Sequence, residues 1–127
     1  MRRAISILLA VTMGGNGLVM LAAGRWWYGA VAGVPETGPF NPHFVKDIGA
    51  AYLVCAAAFG WRALRPAQGW SAAVAAAAFL VLHALVHVAD AFAGGHAGHD
   101  LARDFAGIFL IAALAVAAAW PPRQGGS

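Results

Sequence analysis

Charge is scarce in this sequence. Asp, Glu, Lys and Arg make up 10% of its 127 residues, against about 25% in an average soluble domain. Hydrophobic residues make up 61%, more apolar surface than a single soluble domain of this length can bury. The expected solvent is therefore lipid. Cysteine is scarcer still. One residue, Cys55, excludes both a disulfide framework and a CxxC metal knuckle. It falls inside an apolar run, where cysteine behaves as a small buried hydrophobe. There is also no nucleophile elbow, no dinucleotide-binding glycine pattern and no HExxH zincin motif.

What is present reads as one integral membrane domain over residues 1–127, an all-α bundle of four transmembrane helices. The first span is expected over about Ala4 to Ala23, with Arg2 and Arg3 ahead of it and Arg25-Trp26-Trp27-Tyr28 as an interfacial belt behind it. This start also has the layout of a signal peptide. Its long apolar run, interrupted by Gly14-Gly15-Asn16-Gly17, favours a retained span whose glycines mark close helix packing. A long, mostly apolar loop from Gly29 to Phe40 follows, and loops of that length are often functional.

Asn41-Pro42 is a strong helix start, with Asn as N-cap and Pro at the first helical position. The second span is expected over about Pro42 to Ala63, ending at the interfacial Trp61 and the cations Arg62 and Arg65. The short turn Ala67-Gln68-Gly69 makes it an antiparallel neighbour of a third span, about Trp70 to Ala93. Asp100 reads as the N-cap of a fourth, Leu101 to Trp120, which Pro121-Pro122 stops. The tail Arg123 to Ser127 is expected to be disordered.

Arg2, Arg3, Arg62, Arg65 and Arg123 would share one side of the membrane, opposite Arg25, Lys46 and Arg103. Five cations against three predict both termini in the cytoplasm. The net charge of +3 is thereby explained as a topology signal, and a nucleic-acid partner is not expected.

The third span carries a polar stripe: His83, His87 and Asp90 at i, i+4 and i+7 share one helix face. Ionisable groups within a span are costly and mark function by default. His43 and Asp47 share a face at the start of the second span. All five acidic residues and four of the five histidines fall toward the predicted outer side, while His83 lies deeper, level with Asn16 and Tyr52. Polarity thus narrows inward like a funnel.

Three chemistries fit such a funnel. In the leading one, His43, His87 and Asp90 bind a metal ion, with Asp47 and His83 in support; these N and O donors suit zinc or copper(II). Haem b is a variant, with His43 and His87 as axial ligands from two helices. In the second, His and Asp exchange protons with a quinone or another lipid-soluble substrate. In the third, polar groups knit the helices of an accessory subunit with no ligand; here His83 pairs with Asn16 or Tyr52. Transport would need an oligomer, since four spans are few for a transporter built of repeats. The expected partners are the lipid bilayer and either further copies of the chain or a larger membrane complex.

The stretch Gly33-Val34-Pro35-Glu36-Thr37-Gly38-Pro39-Phe40-Asn41-Pro42-His43-Phe44-Val45-Lys46-Asp47-Ile48-Gly49-Ala50-Ala51-Tyr52 resembles a signature of small bacterial four-helix membrane proteins. The layout of the whole chain is similar to the DoxX-like and related domain-of-unknown-function families. DoxX relatives include subunits associated with thiosulfate:quinone oxidation, so the resemblance implies a bacterial cytoplasmic membrane and a redox setting. It assigns no role to any residue.

Overall fold

The structure, a computed structural model, describes residues 1–121. The tail expected to be disordered, Arg123 to Ser127, lies outside them. The described chain is all-helical: α1 Arg2–Ala30, α2 Pro42–Leu64, α3 Trp70–Ala93, α4 Ala97–Asp104, a π-helical turn Phe105–Phe109, and α5 Leu110–Ala119. Taken as one rod, Ala97–Ala119 joins α1, α2 and α3 as four helices long and apolar enough to cross a membrane. Each packs on its neighbours in the chain, and α5 closes the ring against α1. The Arg62 end of the bundle holds the start of α1, the turn between α2 and α3 and the end of α5. The Asn41 end holds the other two connections.

Small residues decide how close the helices come. Ala73, Ala76, Ala77, Ala112, Ala115 and Ala118 are buried around a few large side chains, chiefly Leu9, Met20, Phe59 and Leu80. Leu8, Val11, Leu18, Val54, Leu82, Leu85 and Leu110 point outward, so the exterior is apolar as well. α1 and α2 form the most extensive pair. They cross where a Cβ on Gly17 would stand 2.7 Å from the carbonyl oxygen of Gly49. Of the glycine patch in the first span, Gly17 makes this contact, Gly14 sits against Ala56, and Gly15 faces open space.

α1 runs past the expected end of the first span. Its one break is at Ala23, where the backbone leaves the helical region (φ −137°, ψ 41°). The break has a visible use. In a straight helix residues 16 and 27 would lie about 16 Å apart, beyond the reach of their side chains. Here the Trp27 indole N–H donates to Asn16 Oδ1 at 2.6 Å. Asn16 is satisfied within its own helix, and Trp27 is drawn inward from the expected belt.

α2 starts as its sequence dictates. Asn41 Oδ1 accepts from the N–H groups of His43 and Phe44, both at 3.1 Å, and Pro42 takes the first helical position. The connection before it is folded back on α1. It contains a 3-10 turn, Val34–Thr37. The Tyr28 hydroxyl donates to the Gly38 carbonyl, Tyr28 meets Phe40 edge-on, and Arg25 lies over the Phe40 ring at 4.6 Å.

At the Arg62 end, the free carbonyls at the end of α5 are closed by side chains. Arg62, 4% exposed, donates Nε–H to the Ala118 carbonyl at 3.1 Å and Nη2–H to that of Trp120 at 3.2 Å, and its Nη1 reaches the Pro66 carbonyl. The Trp70 indole N–H donates to the Ala119 carbonyl at 2.9 Å. A cation at a helix C-terminus also complements the macrodipole. Arg62, read from sequence as an interfacial charge, is a buried fastener between α2 and α5.

Candidate functional site

A line of polar groups leads from the middle of the bundle to its Asn41 end. It begins at Tyr52, buried on α2, whose hydroxyl lies 3.3 Å from His83 Nε2 on α3. Phe79, one turn before His83, stacks parallel to the imidazole, with centroids 6.2 Å apart and 5° between planes. Tyr52 meets both rings edge-on. The His83 and His87 centroids are 4.8 Å apart at 78°, as the i, i+4 spacing requires.

From His87 the line leaves α3. His87 Nδ1 lies 2.7 Å from Asp104 Oδ2, at the end of α4. Asp104 is 8% exposed, and the guanidinium of Arg103 grips both its oxygens, Nε to Oδ1 at 2.8 Å and Nη2 to Oδ2 at 3.3 Å. Such forked, charge-assisted pairs are the strongest side-chain hydrogen bonds. Arg103 Nη1 also donates to Glu36 in the 3-10 turn at 3.0 Å and to Asp100 at 3.1 Å, and Asp100 stands 3.3 Å from His99 Nδ1. Arg103 thus joins the first connection to the fourth span. The join is close: a Cβ on Gly33, whose φ is +84°, would stand 2.5 Å from the guanidinium carbon. Glycine is required there for both conformation and space.

A π turn supports this geometry. The Leu110 N–H reaches the Phe105 carbonyl, an i→i+5 bond. It resets the angular phase between α4, which presents Asp104 to His87, and α5, which buries Ala112, Ala115 and Ala118. Such turns in helices are often found at functional sites. The fourth helical rod also starts earlier than expected. His96 precedes it and Asp100 lies in its first turn, with its side chain turned to Arg103 instead of capping.

The residues singled out from the sequence part company here. Tyr52, His83 and His87 stand together, as their depth and spacing imply. His43 is solvent-facing, its side chain 88% exposed, with Asp47 as its partner at 3.4 Å. Asp90 is exposed at the end of α3, and the carboxylate that orients His87 is Asp104. Asn16 belongs to Trp27. Among the described residues, no three His, Cys, Asp or Glu side chains gather closely enough to hold a metal ion. His43, His87 and Asp90 are thus not brought together. The residues that sequence reasoning passed over are Asp104, Arg103, Glu36 and Phe79. A signal for Asp104 existed, since it lies eight residues into a 23-residue span, and an ionisable group there marks function by default.

Fold and site together define an all-α bundle of four helices, each long and apolar enough to cross a membrane, with an ionisable array let into one end. No known protein family matches the chain, and no match was found to a curated protein or to a solved structure.

Proposed function

We propose that this chain is a multi-pass protein of a bacterial cytoplasmic membrane, with both termini in the cytoplasm, that serves as an accessory redox subunit. Its Tyr52–His83–His87–Asp104 array takes up and returns a proton for a lipid-soluble molecule of quinone type. The observation that carries this reading is the succession of side chains: Tyr52 within hydrogen-bond distance of His83, His83 edge-on to His87 at 4.8 Å, and His87 against a carboxylate held by Arg103. Quinone reduction needs protons delivered where the ring sits, and His with Asp is the usual means of passing them. Two imidazolium rings 4.8 Å apart would repel by about 3 kcal/mol at an effective dielectric of 20. Asp104 and Arg103 fix the outer end: Asp104 orients His87, and Arg103 balances the carboxylate.

The test is histidine-selective nitrogen-15 NMR of the protein in lipid nanodiscs, titrated with a short-chain quinone. Quinone should shift the ring nitrogens of His83 and His87 together and leave those of His43 in place. Unmoved His83 and His87 resonances at saturating quinone, in a folded bundle, sink the reading.

A metal reading keeps one observation in its favour, the two neighbouring imidazoles of His83 and His87. Equilibrium dialysis against zinc and copper(II) tests it. One bound ion per chain, lost in His83→Ala, would support it over the relay.

A further inference from the structure

On the side of the bundle that the polar array does not use, α3 and α5 leave an apolar groove of ≈ 380 Å³, within the size range of small-molecule pockets. Trp70, Val74, Ala78 and Val81 wall it along α3, and Val116 and Trp120 along the other side. It reaches the Arg62 end, where Trp70, Trp120 and Pro121 line it. Val81 lies eleven residues after Trp70, about 16 Å at the helical rise. That is close to half of the ≈ 30 Å hydrocarbon core of a bilayer.

We propose that this groove holds one acyl chain of an anionic phospholipid, with the lipid phosphate at the arginine-bearing end. The proposal rests on the membrane-spanning reading of the four helices but not on the proton relay. Length favours an acyl chain, because the groove is one leaflet deep and its described lining is almost wholly apolar. Charge complementarity decides the headgroup. Arg2 donates to the Pro121 carbonyl at 2.9 Å and Arg62 to the Trp120 carbonyl at 3.2 Å, both at the groove mouth. Arg65 sits in the tight turn that leads into Trp70, its carbonyl accepting from the Gly69 N–H at 2.8 Å, and it is exposed, as is Arg3. The five acidic residues are Glu36, Asp47, Asp90, Asp100 and Asp104, and none falls in the start of α1, the turn between α2 and α3 or the end of α5. Basic pockets between spans are known to take anionic lipid headgroups. Trp70 and Trp120 bracket the mouth, as interfacial tryptophans do.

The experiment is electron paramagnetic resonance of the full chain in phosphatidylcholine vesicles containing chain-spin-labelled phosphatidylglycerol or, separately, chain-spin-labelled phosphatidylcholine. The expected result is a motionally restricted component favouring phosphatidylglycerol by about five-fold for each arginine engaged. Ala78→Trp, which fills the groove from an exposed position, should remove that preference. Ala75→Trp, equally exposed but outside the groove, should leave it intact. Arg65→Gln with Arg3→Gln should bring the two lipids level and spare the fold, since neither side chain is buried. Equal restriction of both lipids by the unaltered chain would overturn the headgroup assignment. A preference that survives Ala78→Trp would overturn the groove as its seat. Restriction of neither lipid would overturn this proposal together with the membrane-spanning reading.

Discussion

Asp104 is the residue on which the candidate site turns, because it satisfies His87 and Arg103 at once while nearly buried. Asp104→Asn keeps the volume but removes the charge from all three hydrogen bonds. It should destabilise the bundle by about 2–3 kcal/mol, read from thermal unfolding in detergent, and should displace the His87 ring nitrogens in NMR. Asp90→Asn and His43→Ala alter exposed groups and should stay within about 0.5 kcal/mol of the parent. A smaller effect at Asp104 than at Asp90 would reverse the assignment made here. Gly33→Ala should act on the same site from the other side. Its Cβ must displace the Arg103 guanidinium and also adopt a left-handed φ. The expected result is loss of the Arg103–Glu36 pairing, seen as faster protease cleavage of the connection between α1 and α2. The i, i+4 pair His83 and His87 was legible because helical spacing is local. The partner of His87 was not. Asp90 is nearer in sequence, but Asp104 is the one that tertiary packing brings to the ring.

Among the elements, the crossing of α1 and α2 is the most sensitive to added atoms. Gly17→Ala sets a methyl against the backbone carbonyl of Gly49, which cannot turn aside as a side chain would. A loss of about 1–3 kcal/mol is expected, the usual range for overpacking. Gly15→Ala, two residues earlier and facing open space, should be neutral or mildly stabilising, since alanine is the better helix former. Thermal unfolding of the two variants side by side separates packing from propensity; similar losses in both would remove the close crossing as the cause. The start of α2 was legible to the residue, because a cap is a local hydrogen-bond problem that Asn41 and Pro42 solve by themselves. The break at Ala23 and the π turn at Phe105–Phe109 were not. Neither carries the proline that most often announces a helix break, and each serves a contact made elsewhere, Trp27 with Asn16 or Asp104 with His87.

For the whole molecule, the sealed interior makes the single cysteine a reporter. Cys55 is buried among α2 core residues, so thiol reagents should label it only when the bundle opens. Labelling in mild detergent should be slow, and complete within the dead time in hot sodium dodecyl sulfate. Rapid labelling of the folded protein would show the core to be looser than drawn here. The proposed topology has its own test, since a fluorescent protein fused to the C-terminus should light up in the cytoplasm and a periplasm-dependent phosphatase fused there should stay inactive.

Periodicity, composition and caps, all local properties, determined by themselves that the chain forms four apolar helices, where α2 begins, and that Tyr52 and His83 lie at one depth. Each follows from the rise of a helix, from the cost of exposing backbone in lipid, or from a cap within three residues. Only the tertiary structure decided which ionisable groups meet. It paired His87 with Asp104, turned His43 toward solvent and set Arg62 inside the bundle on the carbonyls of α5. The physical reason is range. A buried charge takes the partner that packing brings within about 3 Å, and here that partner lies on another helix, at a sequence distance that no periodicity encodes.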